Sequence, residues 1–252
     1  MAGHEYHLLY LFLNQEWRFL NRFQKVILVI FLTITAVLLV LDRFLPGAVI
    51  VNTIKFTTVL ALFFIAFIAK KRYPEQVFLT IAVFFVMMGD FLLNLCSIYP
   101  LLYQRVMVMG GIDFLVAYSL LIWVGKKNMR FGYREILSAL PLIAVYVFTL
   151  GSLYSFIEKA MLIKVVPLSL VLFSMTWISL CTVFSNCYSP AVSSRMALSG
   201  VLILISDIAI ANDFFNPNYA GQYVPWLKNI IWGAYVPAWT LVVLNITEDR
   251  MY

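Results

Sequence analysis

Eight apolar runs, each about as long as a membrane-spanning helix, constrain the fold of this chain more than any other feature. A helix needs ~20 mostly apolar residues to cross the hydrocarbon core of a bilayer. The runs cover residues 25–41, 47–69, 77–97, 106–125, 136–156, 161–184, 196–215 and 228–246. Turn residues, prolines or short basic stretches separate them. The pattern predicts an all-α fold, a polytopic membrane bundle of eight transmembrane helices.

The composition excludes a soluble or disordered chain. Of the 252 residues, 63% are hydrophobic and 12% are charged, whereas soluble domains are about half apolar and roughly a quarter charged. A net charge of +6 would suggest nucleic-acid binding in a soluble protein. Here the basic residues lie in the gaps between apolar runs, where they set membrane orientation. We therefore expect no nucleic-acid partner.

The basic residues also predict the orientation. With a cytoplasmic N-terminus, twelve of the eighteen Lys and Arg residues lie on the cytoplasmic side, five lie opposite, and Lys55 lies within a run. This imbalance places both termini in the cytoplasm, and we expect a bacterial inner (cytoplasmic) membrane protein. Residues 1–24 mix large apolar with polar side chains and predict an interfacial amphipathic segment. The transmembrane domain then covers 25–246, and 247–252 form a C-terminal tail.

Metal and cofactor sites are not expected. The histidines are His4 and His7, near the start of the sequence. The three cysteines lie in or beside apolar runs and form no CxxC motif; they are Cys96, Cys181 and Cys187. Two histidines without a thiolate cluster cannot complete a zinc site, and isolated cysteines of this kind are usually small buried hydrophobes.

Four charged residues lie inside the apolar runs, where ionisable groups are costly and mark candidate functional sites. They are Lys55, Asp90, Asp113 and Asp207. The helical rise of ~1.5 Å per residue places Asp90 and Asp207 ~17–20 Å from the inner edge of the membrane. By the same rise, Lys55 and Asp113 lie ~12 Å below the outer edge. All four are therefore predicted to share one layer slightly outside the midplane.

Polar and aromatic residues are predicted to surround this layer. Asn94 lies four residues after Asp90, on the same helix face. Ser206, Tyr235 and Trp239 reach a similar depth. One lysine cannot neutralise three carboxylates, so at least one aspartate is expected to be protonated near neutral pH. A carboxylic acid beside a carboxylate suits general-acid catalysis or proton-coupled transport; the alternative is a polar contact that only holds helices together.

Short motifs around these charges, in their order along the chain, resemble the YhhN-like lysoplasmalogenase family of eight-span membrane hydrolases. That family shows a lysine in span 2, Gly-Asp-x-Leu-Leu, Phe-Leu-x-x-His, Ser-Asp-x-x-Leu-Ala and Tyr-x-x-x-Gln. The corresponding segments here are Ile54–Thr57, Gly89–Leu93, Gly111–Tyr118, Ser206–Ala211 and Tyr235–Val242. The resemblance covers roughly residues 47–246. Two positions depart from it, because Tyr118 stands where the family has His and Trp239 where it has Gln.

The resemblance implies hydrolysis of the vinyl ether of a lysoplasmalogen, a lysolipid, to a fatty aldehyde and a glycerophospho-headgroup. Asp90 and Asp207 would be the catalytic acid and carboxylate, in an order that the sequence leaves open. The supporting residues would be Lys55, Asn94, Asp113 and Ser206, with Lys55 keeping one carboxylate ionised and Asn94 orienting Asp90. The residues that bind the substrate would be Tyr118, Tyr235 and Trp239.

Two alternatives remain open at this point. The chain could be a non-catalytic membrane subunit or lipid-binding protein on the same fold, for which the departures at Tyr118 and Trp239 are the best support. It could also be a proton-linked transporter, although no convincing repeat relates residues 25–125 to 136–246, and transporters often contain such repeats. Besides the lipid, the expected partners are another membrane protein or a second copy of the chain.

Overall fold

The computed structural model describes residues 20–127, 129, 131–185 and 187–252. Within these residues, eight helices are long and apolar enough to cross a membrane. They are α1 (Arg22–Phe44), α2 (Val49–Ile68), α3 (Pro74–Asp90), α4 (Pro100–Lys126), α5 (Tyr133–Leu153), α6 (Lys159–Ser185), α7 (Pro190–Phe215) and α8 (Pro225–Ile246). The predicted all-α bundle and its eight spans are confirmed, and the protein is an integral membrane protein.

Four of these helices begin at a proline. Pro74, Pro100, Pro190 and Pro225 open α3, α4, α7 and α8. Proline lacks a backbone N–H, and the first turn of a helix is where that N–H would have no intrahelical partner. The apolar run predicted for α7 begins only at residue 196, six residues after Pro190. The helix instead starts at the proline itself.

The bundle has two ends, which we call the terminal end and the distal end. The terminal end contains Arg22 at the start of α1 and Ile246 at the end of α8, and the distal end contains Phe44 and Pro225. The central element is α8, which packs against α1, α2, α3 and α7. In the most apolar stretch of α8, 72% of the residues are buried inside the bundle, whereas in the peripheral α5 the share is 6%. Residues on α8 are therefore well placed to form a site shared by several helices.

Two glycines allow α3 and α4 to approach closely beside Asp90. A Cβ atom on Gly89 would lie 2.8 Å from a ring carbon of Phe114, and one on Gly110 would lie 2.7 Å from Cγ of Leu93. Small residues commonly permit such close helix packing in membranes. The Gly-Asp motif therefore combines a packing residue with the charged residue that follows it.

Two ion pairs fix how α7 and α8 align. At the terminal end, Arg195 Nη2 lies 2.5 Å from Glu248 Oε2. At the distal end, Lys228 Nζ lies 2.5 Å from Asp213 Oδ2. The two helices run in opposite directions. Counting residues inward from either ion pair therefore places Tyr235 of α8 at the same depth as residues 206–208 of α7. The polar residues of the two helices therefore meet at one depth.

The segments outside the transmembrane domain are only partly described. Most of the predicted interfacial segment, residues 1–24, lies outside the described residues, as do both histidines; α1 already begins at Arg22. The C-terminal tail folds against the terminal end. Ser189 N donates a hydrogen bond to the Met251 carbonyl oxygen at 2.8 Å, and Met251 is fully buried.

Candidate functional site

Asp90 is the last residue of α3, and the backbone that follows it leaves α-helical geometry. Residues Phe91–Leu95 form a π-helical turn, a feature that often occurs at functional sites. Asn94, within this turn, donates from Nδ2 to Asp90 Oδ1 at 2.7 Å. Asp90 is only 3% exposed, so its carboxyl group is oriented by neighbouring side chains and not by bulk water.

Tyr235 of the central helix supplies the second hydrogen bond to Asp90. Its Oη donates to Asp90 Oδ2 at 2.7 Å, so both carboxyl oxygens of Asp90 accept a hydrogen bond. The Tyr235 ring is itself held by edge-on contacts with Trp232 and Phe114, at 5.5 and 6.4 Å between ring centroids. A buried polar group whose partners are all present is held rigidly.

Asp207 faces Asp90 from α7 and has a different environment. Tyr118 Oη, on α4, donates to Asp207 Oδ2 at 2.6 Å. Within the described part of the chain, Asp207 Oδ1 has no hydrogen-bond partner, and the residue is partly exposed. Asp207 is therefore the less enclosed residue of the two.

The two aspartates form a pair surrounded by neutral groups. They lie close enough for their charges to interact, and Tyr235 lies near both. The ion pairs found among the described residues include neither aspartate. Adjacent carboxyl groups without a cationic partner favour a state in which one is a carboxylic acid and the other a carboxylate. The pair can therefore both donate a proton and stabilise positive charge.

The structure gives Lys55 a partner that the sequence did not predict. Its Nζ lies 2.6 Å from Asp42 Oδ1, and both side chains are buried. The ammonium group also lies over the Trp232 ring, 4.8 Å from its centroid. Lys55 is therefore paired with Asp42 on α1, and among the described residues it forms no ion pair with Asp90 or Asp207. Asp42 was missed because the predicted first span ended at residue 41, whereas α1 continues to Phe44.

The remaining predicted site residues separate into two groups. Ser206 and Trp239 are fully buried, and within the described residues neither Ser206 Oγ nor Trp239 Nε1 has a hydrogen-bond partner. Trp239 packs edge-on against Tyr235 at 6.3 Å. Asp113 lies half-buried on α4 and, in the same part of the chain, contacts no cation and accepts no hydrogen bond. The structure thus does not bring Asp113 into contact with the aspartate pair.

A second polar cluster, at the terminal end, was not predicted. Glu248 accepts hydrogen bonds from Arg195 and from Gln24 Nε2, and Gln76 Nε2 donates to the Glu248 carbonyl oxygen. Burial alone would raise the pKa of the Glu248 carboxyl group, but the bonds from Arg195 and Gln24 outweigh it and the pKa is lowered. The sequence contains these residues only as isolated polar positions at the ends of runs.

Two cavities lie at the terminal end. The larger, about 740 Å³, lies between α6 and α7 near Tyr188 and Tyr252. The smaller, about 420 Å³, lies beside Glu75 and Lys127. Neither is lined by the aspartate pair. In the described residues, no group of three or more His, Cys, Asp and Glu side chains could hold a metal ion.

The chain belongs to the YhhN family, the family of lysoplasmalogenases. The family model matches residues 51–246, a range that contains Asp90, Asn94, Tyr118, Asp207 and Tyr235. Asp42, the partner of Lys55, lies before the matched range. No curated protein and no solved structure matches the chain at a significant level.

Proposed function

We propose that this member of the YhhN family is an intramembrane hydrolase that cleaves the vinyl ether of a lysoplasmalogen. The observation that carries the proposal is the Asp90–Asp207 pair, whose hydrogen-bond donors are an amide and two phenols. Vinyl ether cleavage needs a proton donor, a group that stabilises a cation, and water. A carboxylic acid beside a carboxylate supplies the first two.

The different surroundings of the two aspartates suggest their roles. Asp207 is partly exposed, and one of its oxygens accepts no hydrogen bond from the described residues, so in this proposal its acid form delivers the proton. Asp90 is enclosed, with both oxygens accepting hydrogen bonds, so it is the fixed carboxylate. A fixed charge aimed at the position where a cation develops lowers the barrier because it needs no reorganisation.

The reaction then proceeds in balanced steps. The Asp207 carboxylic acid protonates the β-carbon of the vinyl ether, whose π electrons form the new C–H bond, and an oxocarbenium ion results. Water adds to the cationic carbon and loses a proton to a carboxylate, giving a hemiacetal. The hemiacetal collapses as its hydroxyl proton leaves and the glycerol oxygen is protonated. The products are a fatty aldehyde and a glycerophospho-alcohol.

Substrate access follows from the packing of the helices. α4 packs on α3 and α6, whereas α7 packs on α6 and α8. The hydrogen bond from Tyr118 to Asp207 therefore spans two helices that are not close packing partners. We place substrate access at this seam, because a single-chain lipid can keep its tail among the helices while its ether group reaches Asp207.

The test uses three lysolipids that differ at one bond. The purified protein in nanodiscs is given a 1-alkenyl, a 1-alkyl and a 1-acyl lysophospholipid with the same headgroup. The proposal predicts fatty aldehyde from the alkenyl lipid alone, because only a carbon–carbon double bond can accept the proton. Fatty acid from the acyl lipid would point to an esterase, and no product from any of them would favour a non-catalytic protein.

We also propose that both termini face the cytoplasm of a bacterial cell. The terminal end contains most of the basic residues between the helices, including Lys70, Lys71, Arg72, Lys126 and Lys127, as the positive-inside rule requires. Labelling of single cysteines placed at Arg72 and at Asn218 with a membrane-impermeant reagent tests this. In intact cells the proposal predicts labelling at position 218 and none at position 72.

A further inference from the structure

Ser206 precedes Asp207 in the chain and Trp239 packs on Tyr235, and each carries a buried polar atom that has no partner within the described residues. The two atoms are Ser206 Oγ and Trp239 Nε1, on side chains with no exposed surface. A buried polar group without a partner destabilises the folded protein, so each such atom needs an explanation. Neither atom has a role in the proton delivery proposed above.

The alignment of α7 and α8 places these two side chains within about one helical turn of each other in depth. The terminal and distal ion pairs place Tyr235 level with Ser206 and Asp207, and Trp239 lies one turn closer to the terminal end. Side chains on a helix lean towards its N-terminus. Trp239 therefore leans towards the distal end, in agreement with its 6.3 Å ring contact with Tyr235. Ser206, on the antiparallel α7, leans the opposite way along the axis, towards the level of Trp239.

We infer that Ser206 and Trp239 hold the water molecule that attacks the oxocarbenium ion. The inference rests on the proposed hydrolase function. The two groups have complementary capacities, because an indole N–H can only donate, whereas a serine hydroxyl can donate or accept. Together they bind a water oxygen and one of its hydrogens, which leaves the second hydrogen for a carboxylate.

In this inference, Asp207 is the carboxylate that accepts the second hydrogen of the water. It is the sequence neighbour of Ser206, and it becomes ionised when it protonates the substrate carbon. The held water then forms its C–O bond and passes its proton to Asp207, which is again a carboxylic acid. That proton later goes to the glycerol oxygen as the hemiacetal collapses, and Asp207 regains one from the hemiacetal hydroxyl group. The cycle closes without any further reactant.

Substitutions at Trp239 separate hydrogen-bond donation from packing. Trp239→Phe keeps an aromatic ring but removes the donor, whereas Trp239→Gln, the residue of the family pattern, changes the shape but restores an N–H. If Trp239 positions water, the Gln variant retains more turnover than the Phe variant, and the loss falls on kcat with KM little changed. A packing role predicts the reverse order.

A competing nucleophile provides a second readout. Added methanol captures the oxocarbenium ion as a stable mixed acetal, and mass spectrometry gives the ratio of acetal to aldehyde. Ser206→Ala and Trp239→Phe should raise that ratio several-fold, because water is no longer held at the cationic carbon. Matched controls are Ser199→Ala, whose hydroxyl group donates to the Met196 carbonyl oxygen, and Trp177→Phe, whose indole donates to the Glu135 carbonyl oxygen.

The outcomes distinguish this inference from the proposed function. Aldehyde release by wild type, with the expected order at Trp239 and a raised acetal ratio, supports both. Wild-type turnover with unchanged acetal ratios in folded Ser206→Ala and Trp239→Phe overturns the water site and leaves the hydrolase intact. Absence of turnover in folded wild type on all three lysolipids overturns both. Thermal unfolding of each variant identifies any loss that comes from misfolding.

Discussion

Tyr118 and Asp207 lie on α4 and α7, which are not close packing partners, yet their side chains are joined by a hydrogen bond of 2.6 Å. Asp207 belongs to the charged layer that the sequence places within the membrane, and Tyr118 is one of the residues predicted to bind the substrate. The bond holds the Asp207 carboxyl group between the two helices. It also explains how a tyrosine can occupy a position where the family pattern has histidine, since both side chains can donate to a carboxylate.

Removing this donor should slow the reaction without unfolding the protein. Tyr118→Phe keeps the ring and its contact with Phe114, at 5.9 Å, but loses the phenol. Asp207 becomes a carboxylate as it gives up its proton, and a hydrogen bond to a charged group contributes about 1.5–3 kcal/mol, so we expect turnover to fall about ten- to a hundredfold. Tyr118→His should retain more turnover than Tyr118→Phe, as measured by aldehyde release.

Ser119→Ala is the matched control for Tyr118. The Ser119 hydroxyl group lies on the exposed side of α4 and donates to the Leu115 carbonyl oxygen, so its loss should leave turnover unchanged. Equal turnover of Tyr118→Phe and wild type would show that the bond to Asp207 has no part in the chemistry.

Adding a methyl group at Gly89 should disturb the site through Phe114. A Cβ atom there would lie 2.8 Å from the Phe114 ring, which packs against both Tyr118 and Tyr235. Overpacking of this kind costs about 1–3 kcal/mol. We expect Gly89→Ala to lower both the unfolding temperature and the turnover.

Gly111→Ala tests whether that effect is specific. A Cβ atom at Gly111 meets nothing within 4 Å, and alanine is the better helix former by about 1 kcal/mol. This variant should be as stable as wild type or slightly more so, with normal turnover. A Gly89→Ala protein indistinguishable from Gly111→Ala would contradict the packing account.

The buried Lys55–Asp42 pair should matter for stability more than for catalysis. Lys55→Met leaves Asp42 buried without its cation, and breaking a buried pair costs about 3–5 kcal/mol. Lys55→Met with Asp42→Leu removes both charges and should recover most of that loss. Denaturant unfolding in detergent measures each variant. If Lys55→Met were as stable as wild type but inactive, the lysine would act on the catalytic pair after all.

Acid should reduce the contribution of the polar cluster around Glu248 to the stability of the protein. The pKa of Glu248 is lowered from its ordinary value of 4.5, so its contribution to stability is present above that value. The contribution is lost as the pH falls through the lower, folded-state pKa. Wild type should therefore be more stable than Glu248→Gln at pH 6, and the difference should shrink as the pH falls below 4.5.

Asp249→Asn is the control for Glu248. Its ion pair with Arg72 is largely exposed, and exposed pairs contribute little, so this variant should follow the wild-type stability curve. A constant difference between wild type and Glu248→Gln from pH 6 to pH 3 would mean that the Glu248 charge does not contribute.

The fold could be predicted almost completely from the sequence, because eight apolar runs leave a chain few alternatives in a bilayer. The ends of the helices were less certain. Pro190 separates runs by composition, yet it opens α7, since a proline fits the first turn of a helix. The other boundary that differs is the end of α1, which extends beyond residue 41 to Phe44 and brings Asp42 into the bundle.

For the site, the sequence could predict how deep each charged residue lies in the membrane, but not which residues it contacts. The sequence placed Lys55, Asp90, Asp113 and Asp207 in one layer, but depth does not determine which way each helix faces. Lys55 turns towards Asp42 and Trp232, and Asp113 makes no contact with the aspartate pair. These orientations depend on the rotation of packed helices, which is set by contacts such as that between Gly89 and Phe114 and is not encoded in any single run.

Aldehyde release from a lysoplasmalogen by wild type, Asp90→Asn and Asp207→Asn tests the central claim most directly. Asparagine keeps the size of the side chain but cannot donate the proton or carry the charge, and Asp249→Asn controls for a loss of charge elsewhere. General acid–base groups contribute about 10²–10⁴-fold. The account predicts release by wild type and Asp249→Asn, with at least a hundredfold loss in each of the other two. Full release by either folded site variant, or none by folded wild type, would contradict it.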